Sequence, residues 1–388
     1  MESRVVHNPG IDRARALLSS VPLVDGHNDL PWALREKFGS DPRAILAGID
    51  LAVEQPDFHT DLVKLRRGGV GGQFWSVYVP CQLTGHAAVS AVLEQIEIVH
   101  TLAARYPADL GLAYTADQAE SAFASGRVAS LLGAEGGHCI AESIGVLRAL
   151  YRLGVRYLTL THNDNVPWAD SATDVPNVGG LSDFGREVVA EMNRLGMLVD
   201  LSHVAATTMR DALDASTAPV IFSHSSCHAV TNHPRNVPDD VLKRLPDNGG
   251  VLMVTFVPRF VSPAIAAWDD RMAEAMAAVG EKHADLAARE RFFATWEGRD
   301  EQPEATLAEV VAHFEYAREV VGIDHIGVGG DYDGCPQLPR GLENVGTYPA
   351  LFNALLDAGW SEDDCAKVAG RNVLRVLRSA ERVAAERT

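Results

Sequence analysis

Eight short apolar runs, each followed by a turn and most of them by a helical stretch, govern what this chain can fold into. They are PLVDGHND (22–29), GGQFWSVYVP (71–80), VASLLGAEGG (128–137), VRYLTLTH (155–162), GMLVDLSH (196–203), APVIFSH (218–224), GVLMVTFVP (250–258) and HIGVGGDYDG (325–334). Near-continuous apolar character implies strands buried on both faces, as in a parallel sheet walled by helices. Between them, FGREVVAEMNRL (184–195) and HVAATTMRDALDAS (203–216) space their apolar residues as helices do. Eight strands alternating with helices predict a TIM-type (β/α)8 barrel. A doubly wound sheet is the competing arrangement, but it usually has fewer strands and a nucleotide loop, and no GxGxxG occurs here. The chain reads as one domain over 1–388, with the barrel core at about 20–340 and C-terminal helices at about 345–388. A helical pair at about 262–305, rich in Ala, Glu and Arg, is inserted before the last strand.

Composition narrows the function classes. A formal charge of −18 excludes a phosphate-backbone partner, because nucleic-acid binders need a basic surface. It also speaks against adhesion to anionic lipid. No run of roughly 18 apolar residues is evident, so no membrane-spanning helix is expected. The first 20 residues lack the apolar core of a signal peptide, and SAERVAAERT at the end lacks an anchor signal. The five cysteines are scattered and odd in number, which fits free thiols in a reducing compartment and a cytoplasmic protein.

Polar chemistry collects at one end of the runs. His27 and Asp29 close the first, Glu135 the third and His162 the fourth, while His203, His224 and Asp331 close the fifth, sixth and eighth. In a barrel of this kind the active site forms at the C-terminal face, from residues on several strand ends. His27 and Asp29, two apart, point to the same face of a strand and suit one zinc ion. An isolated HxD or a lone strand-end histidine is usually structural; several facing one mouth are not so easily dismissed. The donors then divide into His27, Asp29 and Glu135 on one zinc and Glu135, His203 and His224 on the other. Three protein ligands each leave room for a shared water or hydroxide. None of the five lysines (Lys37, Lys64, Lys243, Lys282, Lys367) ends a strand, so a carbamylated lysine bridge is ruled out and Glu135 is the bridging candidate. On the residues alone, His162 is left open and Arg235 reads as a surface residue.

The segments VDGHNDLPW, LLGAEGGH, LTLTHNDNVPWADS, VDLSHV, IFSHSS, HPRNVPDDVL and GVGGDYDG, in that order, resemble those of the membrane (renal) dipeptidase family. The resemblance spans about residues 20 to 340 and implies a zinc metallopeptidase on a TIM-type barrel, acting on small dipeptides and forming a homodimer. It implies the same five ligands, with two zinc ions bridged by Glu135 and a water or hydroxide. It further implies that His162 meets the scissile carbonyl oxygen, that Arg235 holds the substrate carboxylate, and that Asp331 moves the proton. The loop TFVPRFVSP departs from relatives that place a phenol near that carboxylate; Arg259 or Phe260 takes its place. Trp32, Trp75 and Trp168 are candidate pocket walls, and WADSATDVPNVGGLSDFG (168–185) a candidate lid. Two rivals are an amidohydrolase for cyclic amides or β-lactams and a non-catalytic peptide- or zinc-binding protein.

Overall fold

In the computed structural model, which describes residues 9–283 and 285–387, all eight apolar runs contain strands. In chain order the strands are β1 (Leu23–Asn28), β2 (Val70–Ser76), β3 (Leu110–Leu112), β4 (Val128–Glu135) and β5 (Val155–Thr159). They continue with β6 (Leu198–Asp200), β7 (Ile221–Ser225), β8 (Val251–Val254) and β9 (Ile326–Val328). Every pairing is parallel, and β2 pairs with both β1 and β4, which closes the sheet into a barrel. That closure excludes the open doubly wound arrangement.

The three-residue β3 was not expected. It pairs with the start of β4 at Val128–Ser130, on the edge that β5 takes over from Leu132 onward. It is therefore an accessory strand, and the barrel proper has eight. Every residue of those eight strands is buried. Burial on both faces is what the unbroken apolar runs imply.

Local signals set the helix ends. The helix Asp183–Leu195 starts on Ser182, whose side chain accepts from Gly185 N, and stops at Gly196 in the left-handed region (φ 80°). The expected inserted helices are Pro263–Ala278 and Leu286–Phe293, followed by Leu307–Val321 before β9. Helices Tyr348–Asp357, Glu362–Ala366 and Asn372–Ala385 follow the barrel. The last of these contributes Val373, Leu374, Val376, Leu377 and Ala380 to one core cluster with Val24, Phe74, Leu131, Tyr157, Ile221 and Met253 from the strands. Each fully buried Val, Leu, Ile, Phe or Met side chain among them stabilises the fold by roughly 1.5–3 kcal/mol.

One helix, His86–Arg105, reaches a mean hydropathy of 1.3 and is long and apolar enough to cross a membrane, which corrects the expectation that no such stretch exists. Half of that stretch is buried inside the protein, with Ala88, Val92, Ile96, Val99 and Leu102 turned inward at helical spacing. That is the pattern of a core helix.

Candidate metal centre and active site

The first strand brings a carboxylate into the barrel ahead of its histidine. Asp25 is fully buried and accepts from the backbone N–H of His27 and of Gly330, each at 3.0 Å, and from the Tyr348 hydroxyl. This fastens the mouth end of β1 to the segment after β9. His27 Nδ1 lies 2.8 Å from the Tyr157 hydroxyl, which itself donates to the Gly26 carbonyl at 3.2 Å. A hydroxyl whose proton is so used accepts from Nδ1–H, leaving the Nε2 lone pair of His27 facing the mouth. Tyr157 crosses the interior at Gly133, where any side chain would run into its ring.

Glu135, at the end of β4, stands at the centre. Its Oε1 lies 3.1 Å from His203 Nε2, 3.4 Å from His224 Nε2 and 3.8 Å from His162 Nε2. Its Oε2 lies 3.4 Å from His27 Nε2 and accepts from Ser76 Oγ at 3.2 Å. On the other side of His27, Nε2 is 3.2 Å from Asp29 Oδ2 and 3.9 Å from Asp331 Oδ1.

A second buried carboxylate orients the far histidine. Asp200 accepts from Ser202 N, Ser223 N, Ser223 Oγ and Thr159 Oγ1 at 2.5–3.1 Å. Ser223 Oγ is 2.8 Å from His224 Nδ1, so the chain Asp200–Ser223–His224 fixes Nε2 toward Glu135. His203 follows β6 with a left-handed backbone (φ 68°), and its carbonyl accepts from Ala172 N at 2.7 Å. Asp331 is left-handed as well (φ 61°). Sparsely populated backbone states of this kind gather at functional sites.

The electrostatics favour a cation. Burial opposes any charge on His27, yet Tyr157, Glu135 and Asp29 around it hold its pKa well above the ordinary value. Burial likewise opposes the Glu135 carboxylate, and the neighbouring His27 and His162 with the bonds from His203 and His224 keep it well below. His203 and His224 are held neutral by burial, with Arg235 nearby as a further cause. Among the described residues, the buried atoms His27 Nε2 and Asp29 Oδ1 have no hydrogen-bond partner. His203 Nε2 and His224 Nε2 are 3.0 Å apart around one carboxylate oxygen. Ligand atoms of His27, Glu135 and His224, of Glu135, His162 and His203, and of His27, Asp29 and Asp331 cluster closely enough to hold a metal ion. Orphaned donor atoms and imidazole–carboxylate chemistry fit a divalent transition ion such as zinc.

The remaining expected residues border this cluster. His162 is buried, its ring 4.8 Å from Tyr78 and 4.3 Å from His203, and its pKa is lowered to about 4 by burial. Burial pushes the Cys81 thiol up to about 11, so it keeps its proton 3.4 Å from His162 Nδ1. A thiol proton donated to Nδ1 would leave the proton of a neutral His162 on Nε2, as a donor toward the cluster. Arg235 corrects the surface reading: it is 1% exposed, with Nη1 on Ser225 Oγ at 3.4 Å and Nη2 on the His224 carbonyl at 3.3 Å. Its Nε has no partner, and no described carboxylate forms an ion pair with it. The pKa of Asp331 stands well above the usual carboxylate range through burial, which outweighs the opposing His27; Asp29 and Glu135 add to the rise.

Other expectations fare differently. Trp75 and Trp168 belong to the core, whereas half-buried Trp32 sits edge-on to Tyr78 at 5.1 Å. His138 bonds the Val79 carbonyl at 2.9 Å and lies close enough to Glu135 for that carboxylate to act on its pKa, which burial lowers. The loop at 168–185 is fastened: Asp170 accepts from four consecutive N–H groups, Asn177 to Gly180, and Ser171 Oγ donates to the His162 carbonyl at 2.6 Å. Asp25, Asp200, Tyr157, Tyr78 and Cys81 were missed. The available signal was a carboxylate inside an apolar run, in VDGH and again in LVDLSH.

Comparison with known proteins bears on this arrangement. The family model described as membrane dipeptidase (peptidase family M19) matches residues 11–388. The chain is similar in structure to the probable dipeptidase PvdM from Pseudomonas aeruginosa, at TM-score 0.85 and 24% identity over 97% of this chain and 100% of that one. It is similar to an amidohydrolase from the same organism, at TM-score 0.72 and 23% identity over 95% and 98%. It is also similar to a metallo peptidase from Rhodobacter sphaeroides liganded with a phosphinate mimic of the dipeptide L-Ala-D-Ala, at TM-score 0.76 and 23% identity over 93% and 99%.

Proposed function

From the premise that this chain belongs to the membrane dipeptidase family, peptidase family M19, and is a peptide-bond hydrolase, we propose that it cleaves free dipeptides using two zinc ions. The observation that carries this reading is the division of Glu135: Oε1 faces His203 and His224, and Oε2 faces His27. His27, Asp29 and Glu135 would hold one ion, and Glu135, His203 and His224 the other. When bound, the pair would polarise the substrate carbonyl and acidify a water from about 15.7 to near neutrality, making hydroxide available.

The chain's own residues do the rest. His162 Nε2–H donates to the carbonyl oxygen as negative charge builds there. Arg235, buried without a carboxylate of its own, receives the substrate's C-terminal carboxylate. Asp331, beside His27 and Asp29, takes the proton of the attacking water and hands it to the leaving amine. An acidic group must meet the free amine, and the neighbourhood of Asp29 or half-buried Asp164 supplies it. Dipeptides ending in a D-residue are included, in line with the L-Ala-D-Ala mimic bound by the Rhodobacter sphaeroides relative. A cytoplasmic homodimer completes the reading.

The test is metal analysis of the purified protein with kcat/KM across dipeptides varied in both positions and in chirality, plus cyclic amides. About two zinc ions per chain and turnover confined to dipeptides are expected; preferential opening of cyclic amides would move the assignment to an amidohydrolase. Asp331→Asn should retain both ions while kcat falls by about 10² to 10⁴. Parental turnover by that variant removes Asp331 from the reaction.

A further inference from the structure

The mouth holds a second guanidinium that the chemistry above does not use. The short helix Pro258–Val261, just past β8, carries Arg259 and Phe260. The Phe260 ring has the Arg235 guanidinium carbon 5.1 Å from its centre and the Arg259 guanidinium carbon 4.9 Å from it, with the His233 ring at 4.5 Å. Phe260 thus has two cations about its ring, and one of them is the residue assigned to the substrate carboxylate.

Arg259 is half-buried, and among the described residues its side chain packs on Phe260 without a hydrogen bond or an ion pair. Burial depresses its pKa, with Arg289 as a further cause, but a guanidinium remains charged at any working pH. The nearest acidic groups are spoken for. Asp269 is held by Arg289 at 2.6 Å and by His283 at 3.2 Å, and Asp331 lies by His27 and Asp29. Burying a charge without a partner is unfavourable, so a cation left in this state at a cleft is poised for an anion from outside.

We propose that Arg259 is a second carboxylate receptor, and that the substrates are dipeptides whose C-terminal residue is Asp or Glu. The α-carboxylate lies on Arg235 and the side-chain carboxylate on Arg259. Two cations beside one ring, close enough for the charge of Arg259 to act on Arg235, suit two anions from the same end of the substrate. The other end of a dipeptide is an ammonium group, which both guanidiniums repel. This inference rests on the dipeptidase reading.

The experiment measures kcat/KM for Ala-Glu, Ala-Gln and Ala-Lys, each with an L and a D second residue, on the zinc-loaded parent, R259Q and R259E. In the parent, Ala-Glu should exceed Ala-Gln by at least about tenfold, since a site that leaves a buried polar group unpaired discriminates strongly. The ratio should collapse toward one in R259Q and shift toward Ala-Lys in R259E. If R259Q fails to give a cooperative melt, the parental ratio and that of Arg259→Lys decide. A parental ratio of one or less overturns the proposal, as does an unchanged ratio in R259Q. Equal losses on Ala-Glu and Ala-Gln also overturn it, because Arg259 would then hold the α-carboxylate or the fold. Absence of turnover on every dipeptide sinks the dipeptidase reading and this inference with it; turnover without acidic preference sinks this inference alone.

Discussion

At the scale of single residues, the candidate ligands are only as good as the groups that aim them. The Tyr157 hydroxyl is the partner of His27 Nδ1, and Phe at 157 would keep the ring in its place among the core side chains. Tyr157→Phe should therefore fold normally but bind zinc about 10- to 100-fold more weakly, as loss of such an outer partner typically does. Competition with a chromophoric chelator reads this directly, and parental affinity would mean that the hydroxyl does not orient the imidazole. This partner was not legible in the sequence. His27, Asp29, Glu135, His203 and His224 announced themselves by ending apolar runs, whereas Tyr157 is one more apolar letter inside a run. Arg235 was equally opaque. Nothing in HPRNVP distinguishes a buried arginine from a solvated one until Ser225, the His224 carbonyl and Phe260 close around it.

At the scale of elements, charge ties neighbouring helices where apolar contact alone leaves them free. Glu191 on the helix Asp183–Leu195 bonds Arg194 one turn on and Arg148 on the helix Ile144–Arg152, at 2.6 and 2.7 Å. The bond from Arg194, with that from Arg148 and against the opposing effect of burial, holds this carboxyl at about 2. Because the folded value lies below the ordinary 4.5, the contribution is complete above pH 4.5 and is lost as pH falls toward 2. Both arginines are nearly half exposed, so solvent screening leaves it at about 1 kcal/mol. Glu191→Gln should lower Tm at neutral pH and flatten its decline below pH 4.5; parallel curves for parent and variant would count against the tie. Elements were the most legible level. Every apolar run contains its strand, and the inserted helices fall inside the expected 262–305. The strand β3 escaped because three residues cannot display a period, and strand ends shifted because the last residues of a run leave the ladder to form the mouth.

At the scale of the molecule, the candidate ligands come from the ends of β1, β4 and β7 and from the turn after β6, so an ion bound there links distant parts of the barrel. Whatever binds the folded state alone stabilises it by mass action, about 2.7 kcal/mol at a hundred times Kd. Removal of metal by EDTA should lower Tm by several degrees, with zinc restoring it and magnesium failing to; a melt indifferent to chelation would deny the protein a metal-dependent fold. The join between the first and last strands has a consequence in time. Asp25 needs Gly330 N and the Tyr348 hydroxyl, and β1 has β9 as one of its two neighbours. A ribosome delivers these partners some 300 residues after His27. The nascent chain thus carries its first candidate ligand through most of synthesis without the groups that place it, so completion of the mouth becomes a late event, coupled to closure of the barrel rather than to the folding of its first half.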